Sequence, residues 1–423
     1  MARNGVVAVL DVGSSKVVCF VAYLNGSGQI RIVGIGHQVS EGIRGGIIVD
    51  AKKAEESILA AVGAAEKMSG EVIDTAWVSV SGSGLQSHLM QVEASISGHE
   101  VTDRDVQHIL RQGYGRFEKG DAEVVHCIPV EYSIDSAYGI TNPRGMFGDV
   151  LRTDLHVITA PSTGVRNLTH CLAHCHLDID GYVTAPYMSG LSTLTEDEKQ
   201  LGAIVLDIGG SNTSIGLFAQ GQPVYTANVP LGGMHVTRDV ARGLSTSLTY
   251  AERMKTLYGT VVSAMADNKE VIDIPLADMQ SDIDVSDGAP IDDSYITKGL
   301  LTSIICPRME EILEMARDQL KASGVYHLAG PRLVLTGGGS QLQGVRELAG
   351  HIFGKHARIG RPCEVDGMAE VVKNPAFATS VGMLLHAAEA RKGVGAGGLG
   401  DGKEVAVKKE GMARFVSWFK ENF

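Results

Sequence analysis

VVAVLDVGSSKVVCFVAY, residues 6 to 23, and AIVLDIGGSNTSIGLF, residues 203 to 218, follow one grammar. Each has a run of valine, isoleucine and leucine, then Asp-x-Gly, then a second apolar run. The apolar runs read as buried strands, and the aspartate and glycine between them as a turn. VLDVGSS in the first matches VLDIGGS in the second, with aspartates 196 positions apart, at 11 and 207. Self-similarity at that distance predicts two related halves facing one another. A single Asp-x-Gly is a common hairpin turn. Two copies, each after a buried strand, point instead to a shared ligand site.

Each residue type in the pair has a use. Glycine lets the backbone approach a ligand, and successive N–H groups in such a turn form an anion-binding concavity. Gly13, Gly209 and Gly210 occupy those places. Ser14, Ser15, Lys16, Ser211, Asn212 and Thr213 add donors for phosphate oxygens. Asp11 and Asp207, at the ends of buried strands, suit magnesium held through its waters.

A third stretch, RLVLTGGGSQLQGVRELAG at 332 to 350, reads as a short strand, a glycine triplet, and a helix starting near Ser340 or Gln341. Gly337, Gly338 and Gly339 would let an adenosine lie against the chain, beside a helix N-terminus that favours phosphate. Two hairpin loops followed by strand, triple glycine and helix resemble the actin-like ATPase superfamily. The expected fold is α/β: a two-lobed actin-like ATPase fold of duplicated ribonuclease-H-like lobes, with an inserted α+β subdomain in the first lobe and ATP with Mg as cofactors.

The totals bound the function. A length of 423 residues allows two or three domains, and 44% apolar residues supply an ample core. A net charge of −12 argues against a nucleic acid partner, which needs a basic footprint. Six cysteines in so long a chain read as reduced thiols rather than a disulfide framework. No apolar run reaches the roughly 18 residues of a membrane span, and the N-terminus reads as running straight into a strand, so no signal peptide is expected. The expected compartment is the cytoplasm.

Several stretches outside the loops resemble the FtsA family of cell-division proteins: EGIRGGIIVD (41–50), IPVEYSIDSAYGITNPRGMFG (128–148), LTEDEKQLGAIVLDIGG (194–210) and NPAFATSVGMLL (374–385). The likeness covers residues 5 to 390. It implies a first lobe from 1–82, 163–199 and 355–390, interrupted by an inserted subdomain at 83–162. A second-lobe core would take 200–229 and 299–354, with a smaller subdomain at 230–298. Within the insertion, Thr102 caps a helix with Asp105 three residues on. VVHCIPVEYSI then reads as strand, NPRG as turn and DLHVITAP as the closing strand.

The resemblance also implies residue roles. Glu252 and Lys255 match positions beside the ribose and base; without that match they read as solvated helix charges. Arg308 and Glu311, early in the helix beginning CPRMEEILEMARDQLKASG, match positions that bind the FtsZ C-terminal peptide. A structural ion pair explains them equally well. Implied partners are FtsZ, further copies of the chain in protofilaments, membrane lipids, and later division proteins at the inserted subdomain. The stretch 271–294 carries seven aspartates and no basic residue, and reads as a solvated loop. His170, Cys171, His174 and Cys175 have metal-like spacing, but neighbouring pairs point about 100° apart on a helix, so a partly buried helix is expected.

The chain ends GMARFVSWFKENF, residues 411 to 423, after a linker at 391–410. Six glycines fall in 393–402, and a flexible linker of this length reaches roughly 25 Å. At about 100° per residue, Met412, Phe415, Val416, Phe419 and Phe423 share an arc of roughly 100°, with Trp418 at its margin. Arg414 and Lys420 flank it. This pattern predicts an amphipathic helix lying on lipid. Together with the family resemblance it implies a peripheral protein on the cytoplasmic face of the inner membrane at the septum.

Turnover of ATP needs a group that orients water. The stretch joining the lobes, DGYVTAPYMSGLSTL at 180–194, offers Thr184 and Ala185 beside Pro186, with neither carboxylate nor amide there. Firm ATP binding with slow turnover at most is expected. The alternatives are an actin-fold small-molecule kinase, which needs a catalytic carboxylate and has no use for the tail, and a DnaK-type chaperone, which needs a peptide-binding domain.

Overall fold

Both Asp-x-Gly stretches fold as hairpins with the same register. The structure, a computed structural model, describes residues 5–25, 29–82, 84–117, 121–262, 272 and 296–395. In the first hairpin, β1 (Val6–Val12) runs antiparallel to β2 (Lys16–Leu24), with Asp11 opposite Val18 and Val12 opposite Val17. Strands β3 (Ile30–Val39), β4 (Ile43–Arg44) and β5 (Ile47–Ile48) follow, then α1 (Ala51–Ser69) and β6 (Thr75–Val80). Asp50 caps α1 by accepting the Lys53 N–H at 3.3 Å, and Gly70 ends it in the left-handed region.

The insertion comprises β7 (Gln86–Ser95), α2 (Asp103–Gly115), β8 (Ala122–Ile134), β9 (Ala137–Ile140) and β10 (Val150–Pro161), with sheet order β7-β10-β8-β9. Helix α2 lays Val106, Ile109 and Leu110 on Leu151, Leu155 and Val157 of β10, a core separate from those of the lobes. The Asp105 carboxylate accepts both the N–H and the hydroxyl of Thr102, at 2.9 and 2.7 Å, fixing the start of α2. The first lobe then resumes with α3 (Ser162–His174) and β11 (Asp178–Thr184).

Helices α4 (Ala185–Thr193) and α5 (Glu196–Leu201) lead to the second lobe: β12 (Ala203–Ile208), β13 (Thr213–Ala219), β14 (Gln222–Val229), α6 (Gly233–Gly243), α7 (Leu248–Tyr258), α8 (Lys298–Ala322), β15 (Arg332–Thr336), α9 (Val345–Phe353) and β16 (His356–Ile359). Helix α10 (Ala378–Gly395) closes the described chain. Asp207 pairs with Ser214 and Ile208 with Thr213, the first-lobe register displaced along the sequence. The sheets share one plan, β3-β2-β1-β6-β11 against β14-β13-β12-β15-β16, an antiparallel meander of three strands followed by two parallel ones. The duplication read from the loops therefore extends to both whole sheets.

Successive residues of β1 face opposite ways, so Val7 and Val9 enter one core cluster while Ala8, Leu10 and Val12 enter another. The first of these clusters spans both lobes and takes in Tyr187 and Met188 of α4 and Val381, Met383 and Leu384 of α10. Helices α4 and α10 cross so closely that a Cβ on Gly382 would meet the Met188 carbonyl oxygen.

Two helices depart from the sequence expectation. The helix expected to begin near Cys306 starts at Lys298, capped by the Thr297 hydroxyl accepting the Leu300 N–H at 3.1 Å, and carries Pro307 in its interior. Proline removes one helical hydrogen bond, but burial of Leu301 and Ile305 in the second-lobe core holds the added turns. The helix expected from Ser340 or Gln341 is instead a 3-10 turn at Gly338–Gln341, closed by the Ser340 hydroxyl donating to the Gly337 carbonyl at 2.7 Å. Gly344, left-handed at φ 84°, separates that turn from α9.

Candidate functional site

The two turns are built alike at atomic detail. Gly13 donates its N–H to Lys16 O at 3.1 Å, and Gly209 donates to Asn212 O at 2.9 Å. A Cβ on Gly13 would lie 2.8 Å from the Lys16 oxygen, and one on Gly209 would lie 2.9 Å from the Asn212 oxygen. Both glycines are thus demanded by the turn itself. The turns also approach each other, since a Cβ on Gly210 would fall 2.8 Å from Ser15 Cβ. Ser14 is turned to its own lobe, accepting the Gly46 N–H at 3.1 Å, and Thr213 donates to Leu231 O at 2.9 Å. The Ser211 hydroxyl lies beside Met234. The first amides of α6 close over the second turn, Gly233 N–H to Gly209 O at 2.9 Å and Met234 N–H to Gly210 O at 2.8 Å.

Asp11 and Asp207 stand near the ends of β1 and β12, in the two hairpins whose turns approach each other. Asp11 accepts from Ser79 Oγ at 2.8 Å and Ser380 Oγ at 3.3 Å, and Asp207 accepts from Thr379 Oγ1 at 2.9 Å. Burial raises the Asp11 carboxyl above the usual carboxylate range. Burial, reinforced by the Asp11 charge, pushes Asp207 up to about 6. Lys16 lies within the electrostatic reach of both, and burial pulls its ammonium down to about 8. Its Nζ donates to Ala376 O at 2.5 Å and sits 3.6 Å from the centre of the Phe377 ring.

Two carboxylates whose negative charge is disfavoured by burial, and only partly offset by Lys16, fit a hard divalent cation. Among the described residues no group of three or more His, Cys, Asp or Glu side chains converges. Magnesium, which keeps its waters and needs one or two carboxylates plus phosphate oxygens, matches that donor set.

The triple glycine divides by role. Gly337 has φ 80°, and a Cβ there would stand 2.3 Å from Asp207 Oδ1, while one on Gly339 would stand 2.4 Å from Ile208 Cγ2. Both serve contacts within the protein. A Cβ on Gly338 would meet nothing within 4 Å, so this glycine is the one left open to a ligand. Ser340 is buried and bonds its own turn.

Glu252 and Lys255 of α7 are joined to α6. Lys255 Nζ donates to Gly233 O at 3.2 Å, Thr237 Oγ1 at 2.9 Å and Glu252 Oε2 at 2.6 Å, and Thr237 also donates to Glu252. Lys255 is largely covered and Glu252 half exposed, so the pair is more structured than solvated helix charges. Thr184 is buried where β11 passes into α4, its N–H bonded to His126 Nε2 at 3.0 Å. At the end of α3, His174 Nδ1 lies 2.8 Å from Glu55 Oε1, and Cys171 and Cys175 are buried.

The segment NPAFATS, residues 374 to 380, ties these parts together. Asn374 Nδ2 donates to Gln341 Oε1 at 2.5 Å, and Pro375 O accepts from Gly337 N–H at 3.2 Å and Thr336 Oγ1 at 3.1 Å. With the Lys16, Asp11 and Asp207 contacts, this short run touches both turns and the glycine triplet. Its available signal was two hydroxyl residues opening an apolar helix.

Comparison with known proteins follows the same architecture. Residues 204–382 match the family model "Cell division protein FtsA", and residues 82–159 match "SHS2 domain inserted in FTSA". A cell division protein FtsA of Rhizobium meliloti is 38% identical over 100% of this chain and 96% of its own length. The chain belongs to the FtsA family of cell-division proteins. The Pseudomonas aeruginosa FtsA is 34% identical over 89% of this chain and 88% of its own length, and that of Escherichia coli K12 is 28% identical over 97% and 95%. Among solved structures, the type IV pilus biogenesis complex PilM-PilN aligns with TM-score 0.62 at 17% identity, covering 91% of this chain and 99% of that one. MreB5 of Spiroplasma citri bound to ADP aligns with TM-score 0.53 at 12% identity, covering 93% and 99%. These likenesses show the two-lobed actin-like fold of the FtsA family.

Of the positions suggested by the FtsA resemblance for an FtsZ contact, Arg308 bonds Asp239 of α6 at 2.5 Å and also Glu311. It joins α6 to α8, and Glu311 is the more exposed of the two. Met412, Phe415, Val416, Trp418, Phe419 and Phe423, and most of the linker and of the aspartate-rich stretch, lie outside the described residues.

Proposed function

We propose that the chain binds ATP with magnesium between its lobes, polymerises on the cytoplasmic membrane and ties the FtsZ ring to it, recruiting later division proteins at the inserted subdomain. The observation that carries this reading is that Asp11 and Asp207, at matching positions of two like hairpins, lie within electrostatic reach of one another. Asp11 and Asp207 would hold magnesium, which would supply positive charge to the nucleotide's phosphates. The chain's own groups do the rest. Ser14, Ser15, Gly210, Ser211 and Asn212 supply the donors that cradle phosphate, while the Gly13 and Gly209 amides and the Thr213 hydroxyl are spent within the protein. Gly338 admits the nucleoside, and Glu252 and Lys255 border it. Nucleotide then acts as a clamp on the lobe angle, and so on polymerisation. Turnover is slow, because the junction at Thr184 and Ala185 supplies no carboxylate or amide to orient water.

The tail supplies the membrane grip. A helix of thirteen residues is marginal in water and folds on lipid, and one such anchor is weak and reversible. A filament presenting many anchors to one surface multiplies retention without new contacts. Arg308 and Glu311 dock the FtsZ C-terminal peptide. Liposome co-sedimentation with purified FtsZ, with and without ATP, tests the whole scheme. Trp418→Glu should release the protein from vesicles while leaving ATP binding intact; undiminished co-sedimentation of that variant refutes the tether.

A further inference from the structure

Thr379 and Ser380 are adjacent, buried, and bonded to aspartates of opposite lobes. We infer that these two hydroxyls are positioning residues that make Asp11 and Asp207 into a single divalent-cation site, with Thr379 as the latch between the lobes. The inference rests on the nucleotide–magnesium reading above.

Helix α10 packs on α4 at the junction of the lobes and on β1 and β2 of the first lobe. Ser380, fully buried, donates to Asp11 Oδ2 at 3.3 Å within that lobe. Thr379, one position earlier, donates to Asp207 Oδ2 at 2.9 Å in the second lobe. A rotation that opens the cleft stretches the Thr379 contact and spares the Ser380 contact. The other oxygen of Asp207 is walled by Gly337, where even a Cβ would stand 2.3 Å away. Asp207 is thereby held from both sides.

The choice of hydroxyls has a chemical reason. A hydroxyl steers a carboxylate and eases its burial while adding no positive charge that would displace a cation. Lysine or arginine in the same place would neutralise the site. Lys16, the cation that is nearby, is drawn aside by Ala376 O and the Phe377 ring, two residues of the same run. One segment therefore contacts both acids, adding to the Ser79 hydroxyl that holds the other Asp11 oxygen at 2.8 Å, and restrains the competing cation.

The test is a magnesium titration of ATP binding by the full-length protein, read as fluorescence of a labelled ATP, alongside binding in EDTA. Thr379→Val, which keeps shape and removes the donor, should raise the magnesium concentration at half-saturation about tenfold. Binding in EDTA should stay unchanged. Thr379→Ser should restore the wild-type midpoint, and Ser380→Ala should shift it in the same direction by less. An unmoved midpoint in Thr379→Val, with wild-type ATP binding intact, overturns the inference alone. Should Thr379→Val not fold, Ser380→Ala decides on the same criterion. If the wild type binds no ATP at any magnesium concentration, the nucleotide reading falls and this inference with it.

Discussion

Asp207 lies near enough to Asp11 for the Asp11 charge to strengthen its hold on a proton, although the two sit 196 positions apart in the chain. That relationship sets the cost and the purpose of the cleft. Two acids are kept where neither is comfortable as an anion without a cation between them.

Removing one charge should therefore stabilise the empty protein and disable the site. Asp207 has its pKa raised to about 6, so its charged form opposes folding above that pH, and the penalty fades as pH falls toward the unfolded value. Asp207→Asn should gain about 1–3 kcal/mol at pH 7.5 without ligand. The same variant should lose the melting-temperature rise that magnesium and ATP give the wild type. Thermal scans with and without both ligands check the two halves.

The glycine triplet should separate fold from ligand. Gly337→Ala puts a side chain at φ 80° against Asp207 and should cost roughly 2 kcal/mol or more. Gly338→Ala meets only open space and should leave urea midpoints near wild type while weakening ATP binding. Equal stability loss in both variants contradicts this division.

Acid should loosen the joint between the inserted subdomain and the second lobe. His156 is buried, donates Nδ1–H to Pro223 O at 2.8 Å and accepts from Ser87 at Nε2, 2.7 Å away. Ser87 in turn accepts the Thr226 N–H at 3.2 Å. Burial lowers His156 and His386 to about 4 and His126 well below its ordinary value. The unfolded chain then binds more protons below pH 6.5, so stability is full above that value and declines toward pH 4. The slope is about 1.4 kcal/mol per pH unit for each such histidine. Asp11 and Asp207, raised, work the opposite way over part of that range. Urea midpoints across pH 4–7 should still fall with acid, and His156→Gln should flatten the curve.

Arg308 and Glu311 should part company. Arg308→Ala breaks the bridge to Asp239 and should cost about 1 kcal/mol. Glu311→Ala, at the exposed end, should leave stability near wild type. The proposed docking role requires both variants to weaken binding of an FtsZ C-terminal peptide, measured by fluorescence anisotropy.

The sequence alone determined the duplication, because a buried strand ending in Asp-x-Gly is local chemistry: apolar period, turn glycine, register. It located both acids, the triplet and the capped helix of the insertion for the same reason. Only the tertiary structure decided what holds the acids. Thr379 and Ser380 lie far along the chain from both, and no periodicity in their own helix reveals that its first turn lies between the two lobes. It also lengthened α8 through Pro307 and withdrew α9 beyond Gly344, since burial of Leu301 and Ile305 and a left-handed glycine outweighed local signals. Local propensity amounts to tenths of a kcal/mol per residue, whereas burying a large apolar side chain contributes about 2 kcal/mol, so packing wins where they disagree.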